Sequence, residues 1–536
     1  MKTPPTTLQQ VRPQLPVRLF NGFGELLEKA RIRSTRVVAT DLIETAKRRC
    51  RLDDFGEGDF SESLSRLVRS CQGEARLNPI GKIALKVDVL EILGARLQME
   101  RDRQLYPNIS RQEISEPLFI VGLPRSGTSV LHRLLAADPE HRSPLMWEVR
   151  SPSPPTGADE KSRIQRATQS CSFFNWLVPT FRYVHTVGAE VPQECVSLMA
   201  PTFLSDQFDA MYYVPSYRSW FFRQDLRPAY EYHRRFLQHL QFRRDGRRWI
   251  LKAPTHMFAM PSLLSVYPDA LFVQTHRTPV DAMASVSSLV TILRSAFSDA
   301  VDPITVCREA IAYWSEVIHR FLRERDRLPD SRVCDIRYDE IRREPIGAVR
   351  RIYDYFGWSL SREAEQRMRA LVAAQADRQS ANHRYDLSQF GSSEEEVLNA
   401  FAPYCQRFGL AGLPSVQQQP SRSVDSMEKE NSRMIFEVRG VVHADHPTLP
   451  GHFPGAPIVP GVVILDEVLE ALMEWRENSQ LIGIRTAKFL APLKPEQPFT
   501  ICLSADHERA GEVNFCCRAE DRVIVEGRLE VRWEAK

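Results

Sequence analysis

No stretch of this sequence approaches the roughly 20 unbroken apolar residues of a membrane-crossing helix, so no span is expected. The opening MKTPPTTLQQVRPQLPVRLF has no apolar run leading to a small-residue cleavage site, so no secretory signal is expected either. An excess of one charge is also missing. Lys and Arg number 71 against 68 Asp and Glu, and a net +3 is too little to argue for nucleic acid. Any attraction for anions must therefore be built locally. The ten cysteines are scattered, none forms C-x-x-C, and the adjacent Cys516 and Cys517 are badly placed for a bridge. A reducing, cytoplasmic location and no zinc or other metal site are the expectation. There is no internal repeat.

What is present is an ordinary globular composition, 43% hydrophobic and 26% charged over 536 residues. At about 100–200 residues per domain, that length implies more than one. Residues 1–115 carry leucines and valines at helical spacing, so a helical packing or capping layer is expected there. Across 116–411, short apolar runs alternate with helical stretches. PLFIVGL, RWILKAP and ALFVQTH end in polar or turn residues, as buried parallel strands do, which makes this an α/β domain. Residues 412–432 are rich in Ser, Gln and Pro and read as a linker. From 433 to 536 one helix-like stretch, VVILDEVLEALMEW, precedes strand-like runs TAKFLAPL, FTICLSAD, VNFCCRA and RVIVEGRLEVRW. That is a separate α+β domain with a mainly antiparallel sheet.

The densest motif of the first domain is IVGLPRSGTSVLHRLL, with the spacing Gly122-x-x-x-x-Gly127-Thr128-Ser129. A strand, a glycine-bearing turn and a helix start aim backbone N–H groups at one point, where the helix dipole favours an anion. A nucleoside-triphosphatase or kinase loop would carry a lysine after its second glycine and an aspartate elsewhere for magnesium. Here threonine stands in the lysine's place, Arg125 is the loop's cation, and no strand ends in a convincing aspartate pair.

The run Pro124-Arg125-Ser126-Gly127-Thr128-Ser129 after a strand resembles the 5′-phosphosulfate loop of sulfotransferases that use 3′-phosphoadenosine 5′-phosphosulfate (PAPS). Three further segments are similar to the same family. Arg277 follows the strand ALFVQTH and Ser285 stands eight residues on, which the resemblance implies as the 3′-phosphate site. Lys252 in WILKAPTH matches the lysine that faces the transferring sulfuryl group. The run from Tyr338 through Pro345 to Gly357 is similar to the segment beside the nucleotide. The resemblance implies PAPS as co-substrate, no metal, and a hydroxyl-bearing small-molecule or lipid acceptor. It implies charge neutralisation by Arg125 and Lys252, and a general base. Glu148 in PLMWEV leads the candidates, with Glu190, Glu194, His185 and His256 left open. The aromatic stretch SWFFRQDLRPAYEYHRRFL is either an acceptor-pocket lining or plain core.

In the second domain GHFPGAPIVPGVVILD, residues 451–466, resembles the hot-dog-fold 3-hydroxyacyl-carrier-protein dehydratases. The resemblance implies that His452 removes an α-proton and Asp466 protonates the departing hydroxyl. The Gly461 amide then holds the thioester carbonyl at a helix that Pro460 opens. It also implies an acyl carrier protein as partner and a homodimer formed through this domain. Glu470 replaces a glutamine that often follows the acid. A non-catalytic dimerising or carrier-docking module is therefore the alternative.

Overall fold

The computed structural model describes residue 21 and residues 37–181, 185–244, 248–376, 387–410, 433–442, 458–475, 480–506, 512–519 and 522–532. The chain divides into two compact units, Met1–Ser415 and Val416–Lys536. The linker expected over 412–432 lies outside the described residues. No described helix is long and apolar enough to cross a membrane.

The first unit is built on five parallel strands: β1 (Leu118–Gly122), β2 (His141–Arg142), β3 (Arg248–Lys252), β4 (Leu271–His276) and β5 (Val333–Arg337). Their order is β2-β3-β1-β4-β5. β1 is central: Ile120 stands in register with Lys252 on one side, and Gly122 with Thr275 on the other. All five residues of β1 are buried because both sheet faces are covered, which is why LFIVG reads as a continuous apolar run. Successive side chains take opposite faces. Phe119, Val121, Leu251 and Phe272 join a large core with the N-terminal helices. Leu118, Ile120, Ile250 and Val273 pack instead with Leu131, Leu135, Val349 and Ile352.

The N-terminal region forms the helices Ala39–Cys50, Ser61–Gly73 and Pro79–Leu105. The longest starts where the Asn78 side chain accepts the Gly81 amide at 2.8 Å, with Pro79 at its first position. It buries Leu85, Val89, Leu93 and Leu97, a single stripe at four-residue spacing. Each such side chain contributes about 1.5–3 kcal/mol of burial. Arg96, on the same helix and 1% exposed, is satisfied by the carbonyls of Phe55, Glu57, Gly58 and Pro201. That fastens the helical layer to the α/β part.

The second unit is an antiparallel sheet, β6 (Arg433–Gly440), β7 (Gln480–Phe489), β8 (Phe499–Asp506), β9 (Glu512–Ala519) and β10 (Arg522–Arg532), ordered β6-β8-β9-β10-β7. The helix Gly461–Trp475 contributes Val463, Ile464, Val468, Ala471 and Leu472 to its core. On β9 the alternation is plain, with Val513, Phe515, Cys517 and Ala519 buried. This is the expected α+β hot-dog arrangement, with two differences. β6 is a strand the sequence reading missed, and β7 begins at Gln480 rather than at TAKFLAPL.

Candidate functional site

Parallel α/β sheets bind ligands beyond their strands' C-terminal ends, where the strand order reverses. Here that crevice opens above β1, between β3 and β4, and the motif residues gather around it. After Gly122 the chain turns through Arg125 at φ 70° and Gly127 at φ 96° into the helix Thr128–Leu135. Gly127 is required twice over. Its φ is left-handed, and a Cβ would lie 2.8 Å from Ile341 Cδ1 and 3.3 Å from Tyr338 Cδ2. Arg125 holds the same disfavoured region at a cost of about 1–2 kcal/mol. Two contacts keep it there: Arg277 Nη1 donates to its carbonyl at 2.8 Å, and its Nε donates to Ser285 Oγ at 3.1 Å. Arg125, Arg277 and Ser285, separated by some 150 residues of chain, thus form one cluster. Tyr338 lies under it, with the Arg277 guanidinium 4.2 Å from its ring centroid. Arg277 also approaches Asp281 at 3.6 Å, yet its Nε is buried without a hydrogen-bond partner.

The other loop residues divide. Ser126 is fully buried, and its hydroxyl donates to Leu123 O at 2.5 Å and meets Thr275 Oγ1 at 2.6 Å. That hydroxyl fastens the loop to β4, so only the backbone of Ser126 remains for a ligand. Pro124 shapes the turn. Thr128 and Ser129 open the helix, whose first amides have no intrahelical acceptor. Lys252, 2% exposed at the end of β3, donates to Ser129 Oγ at 3.1 Å and pairs with Glu194.

The base candidates separate clearly. Glu148 is buried and both its oxygens are engaged: Arg142 Nη2 donates at 2.9 Å, and the Leu145 amide at 3.1 Å in a capping box. It holds its short helix in place, a correction to its leading position above. His256, 1% exposed, meets the Tyr230 hydroxyl at 2.8 Å and packs edge-on to Phe119. Burial keeps its imidazole well below the usual range, so it is a neutral core histidine. Glu190 is exposed on the turn before Glu194. Glu194, with a side chain 27% exposed, reaches the site. Burial would raise its carboxyl, but Lys252 and then His185 outweigh that and hold it below the ordinary carboxylate range. His185 faces the same group. Burial pushes its imidazole down to about 4, with the charges of Lys252 and Arg125 adding to the fall against the upward pull of Glu194.

One residue not found by sequence reasoning, Asp206, lies close enough to Glu194 to feel its charge. Asp206 is half-buried, with Thr255 Oγ1 donating to one oxygen at 3.2 Å and Tyr313 OH to the other at 3.5 Å. Nothing local in SDQF marks it; only the tertiary fold brings it there. Phe222 of the aromatic stretch and the preceding Arg218 line a cavity of about 410 Å³ together with Tyr313, Ala312, Arg308 and Arg320. The rest of that stretch is largely core, including Tyr230, Tyr232 and Phe236.

In the second unit Pro460 opens the helix by accepting from the Val463 amide at 3.0 Å. Gly461 packs so closely on Phe489 that a Cβ would lie 2.7 Å from its ring. Asp466 is exposed on this helix, while His452 lies outside the described residues.

Residues 117–362 match the model of a family described as the sulfotransferase family, and 426–528 that of the ApeI dehydratases. The chain is 25% identical over 306 residues to the omega-hydroxy-beta-dihydromenaquinone-9 sulfotransferase Stf3 of Mycobacterium bovis, covering 53% of this chain and 74% of that protein. It resembles the crystal structure of sulfotransferase STF1 from Mycobacterium tuberculosis with TM-score 0.62 and 32% identity, covering 69% of this chain and 100% of that one. Its C-terminal part is 31% identical over 111 residues to the 3-hydroxyacyl-(acyl-carrier-protein) dehydratase FabZ of Chlamydia trachomatis, covering 18% of this chain and 72% of that protein.

Proposed function

The chain belongs to the sulfotransferase family and carries a FabZ-like dehydratase domain, and from this premise we propose that it transfers a sulfuryl group from PAPS to an acceptor hydroxyl. The acceptor is a small molecule, lipid or polyketide. The observation that carries the donor assignment is the union of Arg125, Arg277 and Ser285 in one cluster above the switch point. A doubly phosphorylated nucleotide fits these residues: three cationic side chains with Lys252, the Ser285 hydroxyl, the helix amides, and an Arg277 Nε that is buried with no partner.

In this reading Arg277 and Ser285 hold the 3′-phosphate, with Tyr338 supporting the guanidinium. Arg125 and the amides from Ser126 to Ser129 hold the 5′-phosphate. PAPS, when bound, supplies the sulfuryl group for an in-line transfer. Lys252 neutralises charge on the sulfuryl or bridging oxygens, and its tie to Ser129 fixes its aim. Glu194 takes the acceptor's proton. Of the five candidates it is the one paired with Lys252, and it remains ionised because that lysine holds its carboxyl down. His185, uncharged at neutral pH, helps to orient it.

The C-terminal domain dehydrates 3-hydroxyacyl thioesters carried on an acyl carrier protein, with His452 and Asp466 as proton acceptor and donor and the Gly461 amide at the carbonyl. It also forms a homodimer, and both domains serve one pathway on acyl or polyketide chains. The experiment uses the full chain. Calorimetry with the desulfated nucleotide is expected to show binding that Arg277→Ala weakens. Binding of ATP and magnesium without PAPS would refute the donor assignment. Carrier-bound 3-hydroxyacyl chains are expected to yield enoyl product, and His452→Ala to abolish it while leaving the dimer intact. A parent protein without this activity would leave the domain a docking or dimerising module.

A further inference from the structure

The segments carrying Glu194 and Asp206 are stitched together on both flanks. Gln193 Nε2 donates to Ser197 Oγ at 3.0 Å, and Ser197 Oγ donates to Gln207 Oε1 at 3.2 Å. Ser205 Oγ donates to Val196 O at 2.7 Å. The neighbours of one carboxylate thus grip the neighbours of the other. Asp206 is further braced by Thr255, three residues beyond Lys252, and by Tyr313 of the helix Pro303–Arg325. Among the described residues no cation pairs with Asp206. Lys252 goes to Glu194, while Arg218 and Arg294 go to Asp209. A half-buried carboxyl with only neutral donors of its own is therefore held close enough to Glu194 to feel its charge.

We propose that Asp206 and Glu194 act as one carboxylate pair that receives the acceptor's proton, with Asp206 the member that keeps it. The inference rests on the reading of Glu194 as base. As the acceptor oxygen bonds to sulfur, the bond from sulfur to the donor's phosphate oxygen breaks and its electrons stay on that phosphate. The acceptor's O–H proton passes to the pair and later to water. Two neighbouring carboxylates cannot easily both stay charged, so such a pair retains one proton towards neutral pH. Burial, and after it the charge of Glu194, push the Asp206 carboxyl up to about 7, against the pull of the Thr255 hydroxyl and with Asp209 adding to the rise. The other titratable groups facing Asp206 are Tyr217, Tyr230 and Tyr313, all kept protonated by burial. Glu194 in turn faces Lys252, His185 and His132. Alone, Glu194 is a weak base because Lys252 holds it down. Beside Asp206, the pair has the proton affinity that transfer at neutral pH requires.

Asp206 takes part in the proton transfer by this account, and the pH profile is what identifies it. The measurement is single-turnover sulfuryl transfer from PAPS by the full chain, to the fastest acceptor in a panel of simple alcohols with water included. The parent is expected to lose rate as pH falls through about 7. Asp206→Asn is expected to move that limb down by about one pH unit or more and to lower the plateau about tenfold. Thr255→Val removes a donor to the charged carboxylate, so its limb is expected to move the opposite way, to higher pH. It also carries the test should the Asn variant fail to fold. An unmoved limb in either folded variant overturns the pairing. Glu194→Gln separates the two readings. A full parental rate there removes Glu194 as base, whereas an inactive Glu194→Gln beside an unaltered Asp206→Asn overturns only the pair.

Discussion

Replacing Lys252 with methionine keeps the stem's volume and removes the charge, so it isolates what the ammonium does. Its side chain is 3% exposed and serves two partners, the Glu194 carboxylate and, at 3.1 Å, Ser129 Oγ. If the charge faces the transferring group, its loss should lower kcat by about 10²–10³, the usual cost of one preorganised donor. Breaking a fully buried ion pair costs about 3–5 kcal/mol because the partner charge is stranded. Glu194 is 27% exposed and can rehydrate or take up a proton, so a stability loss of about 1–3 kcal/mol is expected instead.

The pH dependence has a definite sign. In the parent, Lys252 holds the Glu194 carboxyl below its unfolded value. The pair therefore adds stability above the unfolded value, and that stability is lost as pH falls through the folded one. In Lys252→Met the largest pull against burial is gone and the carboxyl rises, so the variant lacks most of the stability that the pair adds above the unfolded value. The gap between parent and variant in urea denaturation should then widen from acid towards neutral pH. Affinity for the desulfated nucleotide, measured calorimetrically, should stay within about threefold, since the 3′-phosphate contacts are untouched. A folded variant whose kcat falls less than about threefold would refute the role given to Lys252.

Glu148→Gln keeps an acceptor for the Leu145 amide but removes the negative charge that Arg142 faces at 2.9 Å. It should cost about 1–3 kcal/mol in denaturant unfolding with kcat unchanged, and a hundredfold loss of kcat in a folded variant would restore Glu148 as base. Gly127→Ala places a Cβ 2.8 Å from Ile341 at φ 96°, so it should destabilise the fold by about 1–2 kcal/mol. Because it also presses on Tyr338, beneath Arg277, it should weaken binding of the desulfated nucleotide about tenfold. Asp466→Asn should remove enoyl formation from a 3-hydroxyacyl thioester and leave sulfuryl transfer unaltered; a loss of both activities would contradict separate sites.

What the sequence disclosed follows from the local physics of each element. LFIVG, RWILK and LFVQTH were readable as strands because they are buried on both faces, so each holds at least three consecutive apolar residues. β6 was not, because RMIFEVRG is interrupted by Arg433, Glu437 and Arg439 and borders the polar stretch 412–432. Glu148 illustrates a signal present but unused. A glutamate three residues into a short helix, in PLMWEV, is a capping signature, and the structure uses it so. Ser126 is legible as part of the loop motif, but that burial turns its hydroxyl to Thr275 is not.

The difference between the legible and the illegible parts of the site lies in how each residue reaches the crevice. Arg125, Lys252, Arg277 and Tyr338 lie at or just past the C-terminal ends of β1, β3, β4 and β5. A parallel sheet places all such ends on one side, so four separate strand-plus-turn readings converge without knowledge of the packing. Glu194 and Asp206 come instead from the long helical excursion between β2 and β3, residues 143–247, where no periodicity states which turn returns to the sheet. Their approach depends on Ser197, Ser205 and Gln207 binding across that excursion, contacts that come into being only when it folds. The donor-binding half of the site is therefore encoded locally, and the proton-handling half tertiarily. Substitutions in 193–207 should accordingly change proton transfer and acceptor choice before they change nucleotide affinity.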